Sequence, residues 1–435
     1  VSKLVSAYGL NPPAALDALS QAAKGYRRLK IKFRQYTKHD PEVPVLQITP
    51  DDGYYIHTFY DVSPWSPSGR FLTCLRLPFQ DREPGPDDPA EICVIDLVDR
   101  ELRPVYKTTG WGLQTAAHQM WGTTDRYLYF NDKVNGRPAG IRYDLVQERF
   151  DVFEYTFYQV APDESFAVSP SLVAINYTQP GYGLASAPEF DRPNAPGAPD
   201  DDGFWRVDLR TGERSLLASF KDFDDVLNEV GEAVPGVYYG FHVKFNEQNT
   251  RLMLVVRTVG EGRGWRPMLF SCDVDGKNLR LVVPYRRWKQ GGHHPNWHPD
   301  GERIVMNLAD GSGTLRFYEL WYDGRGERVL APGVIASGHP TYSPNGRCLL
   351  TDAYPREPVS NGGLVPIRLI DLESGAEEAI CWMWTLGIDR GALRLDPHPA
   401  WNRTGDQICF NGAPDGARQL FVADLTSRLH LIRDA

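Results

Sequence analysis

Gly338-His339-Pro340-Thr341-Tyr342-Ser343-Pro344-Asn345-Gly346 reads as a short strand running into a polar turn, and the pattern recurs along the chain. With His339 as position one, Gly346 stands at position eight. His294-Pro295-Asn296-Trp297-His298-Pro299-Asp300-Gly301 and His398-Pro399-Ala400-Trp401-Asn402-Arg403-Thr404-Gly405 have the same form. Weaker copies begin at Val62, His118, Phe157 and His242. That makes seven copies, spaced 39 to 85 residues apart.

Strand-bearing repeats of about 40 to 50 residues belong to propellers or solenoids. One unit cannot bury both of its faces, so its neighbours must stack on it. A run suited to a buried strand follows most turns, as in Arg70-Phe71-Leu72-Thr73-Cys74-Leu75 and Arg303-Ile304-Val305-Met306-Asn307-Leu308. A second run often ends in Asp-Leu, as at Asp96-Leu97, Asp208-Leu209 and Asp424-Leu425. The expected fold is an all-β, seven-bladed β-propeller spanning 43–435, with a short helical and basic extension over 1–42. Val43-Pro44-Val45-Leu46-Gln47-Ile48-Thr49 reads as an outer strand that joins the last blade and closes the ring.

The hydrophobic fraction of 42% and the 12% aromatic content suffice for a large core, and 40 Gly with 34 Pro suit a turn-rich β chain. A net charge of −9 argues against a general nucleic-acid surface. No apolar run is long enough to span a membrane. The six cysteines show no metal-type spacing, so buried free thiols are expected, which leans towards a cytoplasmic setting over a periplasmic or secreted one. No signal-peptide pattern follows Val1, so either a leader was removed or the start was trimmed.

Position one holds His in five of the seven repeats, and the chain has only ten histidines. Equivalent positions in radially arranged blades surround one axis. His118, His242, His294, His339 and His398 are therefore expected to converge at one mouth of the channel. Such clusters suit metal binding or acid–base work. Blade seven is preceded by Arg394-Leu395-Asp396-Pro397-His398, which offers a guanidinium, a carboxylate and an imidazole within five residues. Arg257 falls in a hairpin of blade four, where it could contact an anion. Trp111, Tyr239 and Trp265 are candidates for stacking on sugar rings. The long gap after Phe157, with Gln179-Pro180-Gly181-Tyr182-Gly183 and the stretch 191–203, is expected to form a rim or lid.

Standard signatures are missing: no Gly-x-Ser-x-Gly elbow, no phosphate-binding loop, no His-Glu-x-x-His and no dinucleotide fingerprint. Imidazoles with a carboxylate such as Asp396 favour a divalent ion, manganese or zinc first and calcium as a further option. Such a set suits proton abstraction beside a carboxylate, as in β-elimination from a uronic acid.

The repeated His-Pro-x-aromatic turns resemble the Tol-type propeller repeats of oligogalacturonate lyases. The Trp111…Gln114…His118 segment and the Pro180-Gly181-Tyr182-Gly183 loop resemble propeller lyases of the ulvan lyase kind. The first resemblance implies that His339 and His398 bind a metal, with His294 as third ligand or catalytic group. Arg394 and Asp396 stand where that family places a Gln and a second His. The second resemblance implies proton transfer by His118 and Tyr182. Together they give a site of His118, Tyr182 and His242 for proton transfer. Tyr239, Arg257 and Arg394 would bind substrate, and His294, His339 and His398 the metal. The function expected is a lyase acting on a uronate-containing glycan, working as a monomer or homodimer with neither nucleic acid nor membrane as a partner. The alternatives are a non-catalytic binding platform and a propeller glycoside hydrolase on rhamnose- or uronate-bearing glycans.

Overall fold

The computed structural model describes residues 28–186, 196–260 and 264–432. The helix expected near 11–23 and the stretch 191–203 as far as residue 195 lie outside the described residues. The rest forms seven antiparallel sheets in chain order, each with four strands or, in two cases, five. This is the expected seven-bladed propeller. Among the described residues, no helix is long and apolar enough to cross a membrane.

Each blade follows from the repeat. Position eight needs a left-handed residue to turn the chain, and Gly69, Gly301, Gly346 and Gly405 take φ between 70° and 75° there. The strand after the turn is apolar on both faces because a neighbouring blade covers each side. Phe71–Leu77 and Arg303–Ala309 are buried almost throughout. The aromatic residue at position four knits blades together. The indole N–H of Trp121 donates to Pro64 O at 2.9 Å, and that of Trp297 to Lys244 O at 3.0 Å. The Asp-Leu endings are turn devices: Asp96 accepts the N–H groups of Val98 and Asp99, and Asp208 those of Arg210 and Thr211.

Ring closure is as expected. Val45–Gln47 pairs antiparallel with Gln419–Asp424, so the chain's start completes its last blade. Residues upstream also lend edge strands. Leu29–Lys30 pairs with Glu101–Thr108 of blade one, and Arg34–Gln35 with Val45–Gln47. Four described basic residues of this arm, Arg28, Lys30, Arg34 and Lys38, meet carboxylates; Lys30 meets Glu101 at 3.0 Å and Lys38 meets Asp415 at 2.6 Å. All six cysteines are free and buried.

Candidate active site

Position one is where the inner strand of a blade departs from its ladder. His118, His294 and His398 have φ of 51°, 56° and 49°, a region rare for residues other than glycine. His242 follows a break in register between Gly240 and His242. These local kinks bring the imidazoles together. The rings of His294 and His339 lie 3.9 Å apart, and those of His339 and His398 4.3 Å apart.

His339, Asp396 and His398 form a buried group whose ligand-type atoms all lie within 4.8 Å of one another. Asp396 Oδ2 is 4.0 Å from His339 Nε2 and 3.7 Å from His398 Nε2. Asp352 Oδ1 accepts from His339 Nδ1 at 2.8 Å. A carboxylate there requires a proton on Nδ1, so His339 would meet a metal ion through Nε2. His339 Nε2 and both ring nitrogens of His398 are buried and have no hydrogen-bond partner. Burial holds the pKa of His398 well below its ordinary value, with the nearby cations adding to the effect, so this imidazole is neutral. Orphaned ring nitrogens around a carboxylate, backed by an orienting acid, fit a divalent cation with bonds of about 2.0–2.2 Å.

His294 takes a different part. Its Nδ1–H donates to Gly338 O at 2.9 Å and lies 2.9 Å from His293 Nδ1. His293 Nδ1 in turn accepts from Asn307 Nδ2 at 2.9 Å. The lone pair of His294 is thereby placed on Nε2.

Above this group opens a cavity of about 720 Å³. Its wall includes Tyr182, His242, His294, Arg257, Arg394 and Trp265. Arg394 grips Asp396 at 2.6 Å and donates to the Tyr182 hydroxyl at 2.8 Å. Burial pushes the Tyr182 phenol above its ordinary pKa, so it stays protonated, while Arg394 pulls it back. Arg257 packs over the ring of Phe241 and donates to Gln179 at 2.6 Å. His242 Nδ1 is bonded to the Tyr158 hydroxyl, and burial holds this imidazole neutral.

The floor is closed by a segment that the repeat pattern does not announce. In blade one the inner strand breaks off after Ile56 and rejoins the ladder only at Trp65. The excursion drives Phe59 among the imidazoles, with its ring 4.6 Å from His398 and 5.8 Å from both His242 and His339. Behind it Lys244 and Asp61 form an ion pair at 2.8 Å, with side-chain exposures of 3% and 5%. Lys244 also donates to the Tyr60 hydroxyl and to Pro295 O.

The nine residues expected from the sequence thus fall into distinct places. His339 and His398 are in the metal-type group; His294 lies beside it, and Asp396 completes it. Tyr182, His242, Arg257 and Arg394 wall the cavity. His118 is buried away from the wall, its ring 4.8 Å from that of Tyr158. Tyr239 is 1% exposed and is not a wall residue. Of the aromatic residues expected at the mouth, Trp265 lines it, whereas Trp111 is packed in the core with its N–H on Asp88 O. Gln179, Pro180 and Tyr182 supply the expected rim.

Sequence reasoning missed Asp352, Phe59, Tyr354 and the Lys244–Asp61 pair. For Asp352 a signal existed. Thirteen residues after His118, His294 and His398 stand Asn131, Asn307 and Asn411, each a polar residue inside an apolar strand; after His339 the same place holds Asp352. Asn131 and Asn411 accept backbone N–H groups of the next blade, from Phe157 and His57, and Asn307 donates to Gly338 O. Asp352 likewise accepts a backbone N–H of the next blade, that of His398, but its other oxygen turns back on its own blade's histidine.

No family model matches this sequence, and no curated protein matches it. Solved structures do resemble it. An oligogalacturonate lyase in complex with manganese aligns with a TM-score of 0.64 at 16% identity, covering 93% of this chain and 99% of that one. The oligogalacturonate lyase of Vibrio parahaemolyticus gives the same TM-score and coverages at 14% identity. TolB from Acinetobacter baumannii is a more distant likeness, with a TM-score of 0.38 at 11% identity over 77% of this chain and 64% of that one. The chain shares the fold of these lyases over nearly its whole length.

Proposed function

We propose that this protein is a divalent-metal-dependent lyase that cleaves a uronate-containing oligosaccharide or polysaccharide by β-elimination. The observation that carries the reading is the buried His339, Asp396 and His398 group lying beneath a cavity whose wall includes the Arg257 and Arg394 guanidinium groups, the neutral imidazoles of His242 and His294 and the protonated phenol of Tyr182. The likeness in fold to lyases, one of them solved with manganese, supports it. His339, Asp396 and His398 would hold the cation, manganese or zinc. Bound there, it would draw charge from the substrate carboxylate and so acidify the adjacent C5–H.

The chain's own residues do the rest. Arg257 reaches the cavity with no carboxylate partner among the described residues and orients a substrate carboxylate. His294 offers Nε2 as the base, its tautomer fixed by Gly338, with His242 the second candidate. The C5 proton passes to that nitrogen. The electron pair left on C5 forms the C4–C5 double bond as the C4–O bond breaks. The leaving oxygen takes the phenolic proton of Tyr182, whose oxygen is already held by Arg394. Trp265 at the rim suits stacking on a sugar ring. His118, away from the wall, supports Tyr158.

The test is an ultraviolet scan of the protein with pectic oligomers, ulvan and rhamnosyl-glucuronate gums, with and without chelator. Growth of the unsaturated-uronate band, lost on chelation and on His294→Ala but kept on His118→Ala, is the expected result. Release of reducing sugar with no such band would move the case to hydrolysis. A flat trace with bound glycan would favour a binding platform.

A further inference from the structure

Tyr182 and the metal-type residues Asp396 and His398 reach the mouth on separate segments, the rim between the second and third strands of blade three and the stretch that opens blade seven. We infer that Gln114, in blade two, is the positioning residue that locks these segments together; the inference rests on the roles given above to Tyr182 and Asp396.

The backbone N–H of Gln114 donates to Gly181 O at 2.9 Å. Its side-chain Nε2 donates to Ala392 O at 3.0 Å and to Arg394 O at 2.6 Å. One residue therefore holds both segments one or two residues from the groups that matter. The three pieces also touch: a Cβ on Gly181 would lie 3.1 Å from Gln114 Cγ and 3.3 Å from Ala392 Cβ. Neighbours of Gln114 strengthen the grip on the rim. Thr115 Oγ1 donates to Tyr182 O at 3.2 Å. Gly112 must lack a side chain, because its Cβ would come within 2.5 Å of Gly181 O. Across the mouth, Arg418 Nη2 donates to Leu393 O at 2.7 Å, so the carbonyls of 392–394 are all held.

Gln114 is 2% exposed and stands outside the cavity wall, so it touches no reacting group. Both of its grips use N–H donors, and its Oε1 has no partner. A carboxylate in its place keeps the shape but offers no amide N–H to two carbonyl oxygens. The arrangement sets the spacing between the Tyr182 hydroxyl and Asp396, which Arg394 then bridges directly. Outer residues that orient a metal site typically change metal affinity 10- to 100-fold when replaced.

The experiment uses the full chain with manganese and compares wild type with Gln114→Glu and the gentler Gln114→Met. Manganese affinity should weaken about tenfold or more in Gln114→Glu. kcat on the responsive glycan should fall with KM unchanged. At saturating manganese, where the loss of metal affinity is masked, combining Gln114→Met with Tyr182→Phe should be no slower than Tyr182→Phe alone, because both then act on the same proton transfer. Additive losses, or manganese affinity within about twofold of wild type in both variants, would overturn the inference. If wild type binds no manganese, the metal reading itself fails. The clamp is then judged by amide exchange in Gln114→Met: faster exchange in both 181–184 and 392–396 upholds it, and unchanged protection in either segment sinks it.

Discussion

His339 and Asp352 are both fully buried, and the carboxylate holds the histidine twice, at the ring Nδ1 and at the backbone N–H, each at 2.8 Å. Its other oxygen accepts the backbone N–H of His398 at 3.0 Å. One carboxylate thus sets the tautomer of one proposed ligand and the place of the other. Asp352→Asn restores the residue type that three other blades use at this position, so the fold should survive. Its amide no longer compels the Nδ1–H tautomer of His339. Manganese affinity, read by calorimetry, should drop about 10- to 100-fold, with little change in the urea midpoint.

His118 gives a pH dependence. Burial pushes its pKa down to about 4 from the ordinary 6.5. Between those values the unfolded chain takes up a proton that the folded chain refuses. Stability therefore falls as pH falls from about 6.5 to about 4, and this loss levels off below. One such group withdraws on the order of 3 kcal/mol. His118→Asn suits the positive φ of this position and should flatten the acid side of a urea-midpoint profile by about one such group, leaving the share due to the other buried histidines, whose pKa values burial also lowers.

Lys244 and Asp61 pair out of water, so removing one partner strands a buried charge. Lys244→Met should cost about 3–5 kcal/mol. Lys244→Met with Asp61→Leu should recover much of that loss, because no lone charge remains. Denaturant unfolding of the single and double variants checks both statements. A double variant as unstable as the single one would mean that the pair's geometry, not its charge, closes the channel floor.

Arg257 and Arg394 should separate in kinetics on whichever glycan responds. Arg257 holds no group of the metal site, so Arg257→Ala should raise KM with kcat little changed. Arg394 braces both Tyr182 and Asp396, and Lys cannot reproduce its forked contacts. Arg394→Lys should therefore lower kcat, on the order of 10²-fold, and weaken manganese binding together.

Some of this was legible in the chain. The turn at Gly338–Gly346 and its copies gave the blade count, because a left-handed glycine and a buried aromatic residue are local demands that each blade repeats. His339 and His398 could be placed together by register alone. Asp352 could have been found by the same register, as a charged residue where other blades carry Asn. Phe59 could not, since the excursion of 57–64 replaces regular pairing and obeys no repeat. Tyr239 and Trp111 show the limit from the other side. Tyr239 precedes the bulge at Gly240–His242 that carries Phe241 and His242 to the cavity, and Trp111 stands outside the strands with its indole N–H on Asp88 O, so no strand pattern places either of them.

The sequence by itself determined a ring of seven stacked sheets, its closure by the strand at Val45, and a convergence of histidines on one axis. These follow from periodicity and burial, which act residue by residue. Only the tertiary structure decided which imidazole meets a carboxylate, which turns its lone pair to the cavity, and which is sealed away. Those outcomes depend on ångström-scale contacts between blades far apart in the chain, such as Gln114 with Arg394 and Lys244 with Asp61. No local pattern encodes them, because each partner's position is set by the packing of blades between them.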